Sequence, residues 1–409
     1  MKRLRFYLVF ILIFNIFYIA GAQDKYSNEY LKNMPKPLRV NIIESLPVNP
    51  AMTLVHDMGI GINIGNTLDA IGTNDWHSGE NGWGNPDITR DFIQSLKSNG
   101  YKSLRLPVTW AEYIGPAPDY KIGKCVFNCG KCPDRMDRVE QVVKWILAED
   151  MYCVLNLHHD GGHSDKSWIL DAENDFDKTL DQFKKVWEQI ALRFSGVSQD
   201  KLIFESMNEV GFDKIFARSK VRAYTMFNSF NQAFVDTIRM IPGNENRFLL
   251  IAGYWTDIDK TTDKLFKMPA DTIENRLIAS LHYYGPGDFC IAESNTGWGF
   301  RSSWGTAEDY QFLRTQLNKL RKRFLNNGIP VIMGEYGVTL VNKNENSRIK
   351  WMTVVTQACL NYGIHPMLWD TGWKVDDNGK DFGGEVNRES PYALRNALKI
   401  VLSIINLRD

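Results

Sequence analysis

The sequence predicts a single (β/α)8 barrel. Three observations lead there: eight short apolar runs, amphipathic segments of helical length between them, and no repeat, low-complexity block or Ser/Pro-rich linker from about residue 41 onward. Strands buried on both faces and alternating with helices build a parallel sheet, and eight such units with right-handed crossovers close on themselves. An open doubly wound sheet is the competing architecture. It favours a Gly-rich phosphate turn after the first strand, and the glycines at 59–65 are not part of a G-x-G-x-x-G that opens a helix.

In chain order the strand signals are GIGINIG at 59–65, SLRLPV at 103–108, MYCVLNL at 151–157 and LIFESM at 202–207. Four more follow: RFLLIAG at 247–253, LIASLHYY at 277–284, PVIMGEY at 330–336 and IHPMLWD at 364–370. Helical patterns lie near 87–99, 136–149, 176–194, 218–239, 306–326, 346–361 and 390–405, and only the crossover after the fifth strand lacks a strong one.

The first residues combine Lys2, Arg3 and Arg5, an apolar run from Phe6 to Ile19 and small residues at Ala20 to Ala22. That is the pattern of a secretory signal peptide cleaved near Ala22, and the run is shorter than the roughly 20 residues of a spanning helix. The domain reading is therefore a leader over 1–22 and one barrel over 23–409, exported to the extracellular or periplasmic space. The 48 basic and 48 acidic side chains cancel, which removes the long-range field that attracts nucleic acid or an anionic membrane and points to an uncharged partner. No repeat, coiled coil or long apolar surface stretch implies a protein partner, so a monomer is expected.

Six cysteines remain in this exporting context. Cys125, Cys129 and Cys132 crowd one segment, where a loop-stapling disulfide is expected; three thiols without a nearby fourth ligand make an incomplete zinc set. Cys153 and Cys359 sit in apolar strand and helix patterns and read as buried free thiols, while the pairing of Cys290 stays open.

In a barrel, chemistry collects where the strands end at their carboxyl side. Here those positions carry Asn66, then Arg105, then His158, His159 and Asp160, then Asn208 and Glu209, then His282 and Tyr284, then Glu335 and Tyr336, and finally Trp369 and Asp370. One such residue is ordinarily a satisfied hydrogen bonder, but a whole rim of polar groups that must be desolvated and paired is costly to keep for packing alone. Glycosidic cleavage needs one acid to protonate the leaving oxygen and a second carboxylate at the anomeric carbon. Glu335 beside Arg105 is expected to stay ionised as a nucleophile, and Glu209, away from that cation, to hold its proton. Neither a cofactor nor a metal is needed: adjacent histidines on a strand point opposite ways and so rarely share one ion, and no H-E-x-x-H helix or G-x-S-x-G elbow is present.

Read along the chain, GINIGNTLDA, ENGWGNP, LRLPVTW, VLNLHHDGG, LIFESMNEV, GYWTDIDKT, LHYYGPGDFC, SSWGTAEDY, VIMGEYGVT and MLWDTG resemble glycoside hydrolase family 5, in its branch of endo-β-1,4-glucanases and xyloglucanases. The resemblance spans Gly59 to about Gly372. It implies a retaining, endo-acting, double-displacement hydrolase of β-1,4-linked plant polysaccharide, with Glu209 as acid/base and Glu335 as nucleophile. Arg105, Asn208 and Tyr284 would support them, His158, His159 and His282 would position sugar and acid, Asn66 would bind substrate, and Trp369 would stack on the sugar at the cleavage point. Two departures bear on substrate preference: Val210 stands where many relatives have Pro, and the cysteine-rich loop is foreign to the pattern. A β-mannanase or xylanase of the same family is the nearest alternative. From another class, a non-catalytic carbohydrate-binding barrel is disfavoured because both glutamates are present.

Overall fold

The structure, a computed structural model, describes residues 30–72, 79–125, 133–162, 164–295, 297, 299–375, 381–390 and 392–405. The expected leader, Cys129 and Cys132 lie outside them. Eight parallel strands form a closed barrel: β1 (Gly61–Asn63), β2 (Ser103–Leu106), β3 (Tyr152–Asn156), β4 (Leu202–Glu205), β5 (Leu249–Ala252), β6 (Leu277–Tyr283), β7 (Val331–Tyr336) and β8 (Ile364–Leu368), with β8 closing on β1. Each lies inside the apolar run that predicts it.

Period-2 alternation explains why these runs are apolar throughout. Val154, Ile203, Leu250, Ile278, Ile332 and Met367 point into the barrel, where they pack with Leu54, Val55 and Met58 of the helix Pro50–Asp57. Their strand neighbours face the surrounding helices in the larger core. Asn49 caps that floor helix by accepting from the Met52 amide, with Pro50 at its first turn. The floor also holds His365 of β8, buried between the Ser103 hydroxyl (Nε2, 2.8 Å) and the Gly59 carbonyl (Nδ1, 2.7 Å). Its ring fits because Gly61 has no side chain: a Cβ there would lie 2.9 Å from Nε2.

The outer helices are Arg90–Ser98, Arg135–Ala148, Phe176–Arg193, Lys220–Met240, Ala307–Arg323, Glu345–Asn361 and Asn396–Ile405. Their starts follow local capping: Thr89, Asp134, Asp175, Ser219 and Asn344 each accept from an amide of the first turn, and Thr306 and Asp309 form a capping box. After β5 the crossover carries a 3-10 turn, Tyr254–Thr256, and the short helix Ile258–Thr262, in line with its weak signal. The last helix begins at Asn396 rather than near 390, because Val386 and Leu394 pair in an antiparallel bridge upstream of it. After β8 a small hairpin, β9 (Trp373–Val375) with β10 (Asp381–Gly383), precedes that bridge. Cys153 and Cys359 are buried free thiols, as expected, and Cys290 is a third.

Candidate active site

The strand ends converge on Arg105. This side chain is fully buried inside the barrel mouth, and its guanidinium spends its donors on four acceptors: Nε to Glu205 (2.7 Å), Nη1 to Asn63 (3.0 Å) and Glu335 (2.8 Å), and Nη2 to Asn208 (2.8 Å). A planar fork with fixed donors suits such a hub better than a point charge does. Burial weakens the guanidinium, but Glu205 and Glu335 more than offset this, so the charge is held. Tyr284 donates its hydroxyl to the other oxygen of Glu335 at 2.9 Å, and its own pKa is raised by burial and by that carboxylate. Because Asn208 accepts from Arg105 through Oδ1, its amide nitrogen is left as a donor on the cleft side.

Glu335 reaches this position through an irregular strand. Between Met333 and Tyr336, β7 holds one residue more than β8, and opposite β6 the register jumps from Leu281↔Met333 to His282↔Glu335. Such a bulge re-aims a side chain at a strand end. Asn63 holds it by donating to the Gly334 carbonyl at 2.9 Å.

Glu209 follows β4 in a left-handed conformation, φ +45°, that a non-glycine residue adopts only under constraint. The constraint comes from the next residues. Trp255 donates its amide to the Val210 carbonyl at 2.8 Å, and its indole lies so close over Gly211 that a Cβ there would be 2.0 Å from Nε1. Val210, the departure from the family pattern, is fully buried beneath this turn.

His282 Nδ1 lies 2.9 Å from Glu209 and 3.5 Å from Glu335, and its Nε2 is buried with no partner among the described residues. An ionised carboxylate only accepts, so this contact places a proton on Nδ1, which donates to Glu209. One carboxylate oxygen of each glutamate and a His282 nitrogen fall within 4.8 Å of one another. The glutamates titrate as a pair. Burial raises both, but on Glu209, whose side chain is 41% exposed, the His282 hydrogen bond prevails and the pKa is lowered. On Glu335 burial prevails over His282 and Arg105 and the pKa is raised. This order is the reverse of the sequence expectation, because strand-end reading places Arg105 near Glu335 but cannot reveal His282 facing Glu209.

A test of that coupling follows. Replacing His282 by Ala removes the group that lowers Glu209 and one that lowers Glu335, so both limbs of the kcat/KM profile should move to higher pH. A measured profile that is unmoved, or moves down, would contradict the assigned contact.

The remaining predicted residues divide. His158, His159 and Trp369 line a cleft of about 820 Å³ together with Glu209, Tyr284 and Glu335. His158 stacks on Trp369, with ring centroids 5.6 Å apart and planes 6° from parallel. The expectation that the two histidines diverge is corrected: both lie beyond the end of β3, where alternation no longer applies, and their rings meet edge to face at 4.6 Å. With Asp69 they offer three ligand atoms within 4.8 Å. Burial lowers the pKa of both.

Asn66 is not brought to the cleft lining; it shapes the turn after β1, donating to Asp69 at 3.0 Å and accepting from Asn85 at 2.8 Å. Asp370 ties the β9–β10 region down by accepting from the Glu385 amide and from Arg388. Asp160 accepts from the Trp110 amide and the Trp168 indole, and burial pushes its pKa up to about 6. Tyr336 shares its hydroxyl with Thr356. Sequence reading missed Asn63, Asn156 and Glu205, all polar residues at the last positions of apolar strands. That placement is itself the signal that could have marked them.

Residues 65–375 match the model of the cellulase family, glycosyl hydrolase family 5. Over 347 residues, 79% of this chain and 83% of the other, it is 37% identical to endoglucanase A of Paenibacillus barcinonensis. A xyloglucan-specific endo-β-1,4-glucanase of Bacteroides ovatus is 33% identical over 374 residues, 85% of this chain and 70% of that one. Among solved structures, a family 5 lichenase from Caldicellulosiruptor sp. F32, in complex with cellotetraose, superposes with a TM-score of 0.77 at 28% identity, covering 88% of this chain and 96% of that one. The matched stretch carries the strand ends from β2 to β8 and, with them, every group gathered around Arg105 except Asn63: the chain belongs to glycosyl hydrolase family 5.

Proposed function

We propose that this glycoside hydrolase is a secreted, retaining endo-β-1,4-glucanase in which Glu335 is the nucleophile and Glu209 the acid/base. The observation that carries the reading is the pair of carboxylates on opposite sides of the mouth, with oxygens within 4.8 Å. Retaining enzymes keep their carboxyls about 5 to 5.5 Å apart, and the roughly 6.5 to 9.5 Å of inverting enzymes leaves room for a water. The pair shares its protons, and catalysis draws on the microstate in which Glu335, fixed as a carboxylate by Arg105 and Tyr284, attacks the anomeric carbon while Glu209 protonates the departing glycosidic oxygen. Glu209 then takes a proton from the water that releases the glycosyl group from Glu335. His158, His159, Asn208 and Trp369 hold the sugar, and the chemistry calls on no metal or cofactor.

Substrate range is supported by the relatives, which are named as an endoglucanase, a lichenase bound to cellotetraose and a xyloglucan-specific endo-β-1,4-glucanase. We place this chain on β-1,4-glucan backbones, acting outside the cell after leader removal near Ala22. The test is a reducing-end assay across cellulose-derived glucan, mixed-linkage glucan, xyloglucan, mannan and xylan, with the anomer first formed read by NMR. Expected are activity on the three glucans, short-chain products from internal cuts, and the β-anomer. A preference for mannan or xylan would reassign the substrate, and an α-anomer first product would remove the double displacement.

A further inference from the structure

Asn156, the last residue of β3, lies beneath the cleft and is fully buried. Its amide orientation is fixed by its surroundings. The Val108 backbone N–H, which has no choice but to donate, lies 3.1 Å from Oδ1, and the indole N–H of Trp110 binds the backbone carbonyl of the same residue at 3.0 Å. Oδ1 is therefore the oxygen, and the group facing His158 Nδ1 at 3.2 Å is the NH2. An amide NH2 only donates, so Nδ1 must be the unprotonated, accepting nitrogen of the ring. In a neutral imidazole the proton then sits on Nε2. Burial, followed by the neighbouring His159, Arg105 and His282, keeps the ring neutral. Nε2 has no protein partner among the described residues, and the ring belongs to the cleft wall, stacked on Trp369.

We propose that Asn156 is a positioning residue that locks His158 as the Nε2–H tautomer, turning the nitrogen at the cleft wall into an obligate donor to a hydroxyl oxygen of the sugar at the cleavage point. The proposal rests on the reading of this cleft as the catalytic one. It adds that the donor polarity of His158 is set from below, by a residue that never meets substrate.

Two measurements test it. In the wild-type protein, long-range 1H–15N correlation on labelled histidine at about pH 8, with His158→Gln to identify the resonance, should show a protonated Nε2 and a bare Nδ1. A protonated Nδ1 would overturn the proposal at once. In Asn156→Asp the carboxylate still accepts from Val108 but must accept from His158 as well, so the proton should move to Nδ1 and Nε2 should become an acceptor. The expected result is a reversed tautomer and a fall in kcat of about 100-fold on cello-oligosaccharides, the scale seen for losing one aimed donor, with KM changed far less. The new carboxylate also pairs in register with Glu205, so thermal stability is followed alongside. A variant that reverses the tautomer yet keeps kcat, or that loses kcat with Nε2 still protonated, contradicts the assignment. The wild-type spectrum does not depend on turnover, so a failure of the glucanase reading, seen as full activity in Glu335→Ala, would be told apart from a failure here.

Discussion

Glu335→Ala should abolish turnover on every substrate, by about 10^5-fold or more, while Glu209→Ala should fail selectively. Without Glu335 no carboxylate attacks the anomeric carbon and no covalent glycosyl group forms, whatever the leaving group. Glu209 is needed in the first step only as far as the leaving oxygen needs a proton. On polymer its loss should cost about 10^3-fold, within the range of general acid catalysis. On dinitrophenyl β-cellobioside the first step should survive, the intermediate should accumulate, and azide, which needs no general base, should speed its release as a β-glycosyl azide. Azide rescue of Glu335→Ala with an α-configured product would exchange the two roles, and full activity in both variants would remove the site.

The second large effect is expected at Arg105, and it combines stability with rate. Arg105→Met strands Glu205, which is fully buried and keeps, among the described residues, only the Ser280 hydroxyl at 2.5 Å, and it removes the cation beside Glu335. Breaking a buried pair from one side costs about 3 to 5 kcal/mol, because the remaining charge cannot reach water. For a domain this large that corresponds to a drop in Tm of about 4 to 6 °C. Turnover should fall by about 10^3-fold as Glu335 loses its strongest partner and Asn208 its anchor. Arg105→Lys should recover part of the stability and little of the rate, since one ammonium cannot reach four acceptors spread over three strand ends. Wild-type Tm and kcat in either variant would show that the hub does not organise the cleft.

What the sequence made legible follows from period and position. Eight apolar runs fall on the eight strands because a barrel strand is covered on both faces and so has no polar side to confuse the pattern. The residues gathered at the mouth were found by asking which polar side chains end those runs, and that rule reaches Arg105, Asn208, Glu209, His282 and Glu335. It fails where a strand is not ideal. The extra residue of β7 at Gly334 and Glu335 leaves no mark in the hydrophobic pattern, yet it sets the register of Glu335 against His282. The rule also overshoots: Asn66, three positions beyond Asn63, ends the first run in sequence but belongs to the turn. Glu205 and Asn156 were passed over for the opposite reason: each ends its strand, but the apolar run continues past it, so the polar residue that closes the run drew the reading further along the chain.

The floor of the barrel gives acid a second point of entry. His365 is held neutral, its pKa lowered to about 4 by burial, against 6.5 for the ordinary ring. A folded value below the unfolded one means that the unfolded chain binds the extra proton more readily, so this contribution is intact above about pH 6.5 and drains away as the pH falls towards 4. At 1.36 kcal/mol per unit it amounts to about 3 kcal/mol, released where β8 meets β1 and β2 and the cylinder is closed. The rim that cuts and the seam that closes therefore answer to acid through different groups. A rate and a melting curve taken side by side at falling pH should part company, the one following the coupled glutamates and the other the histidine at the opposite end of the barrel.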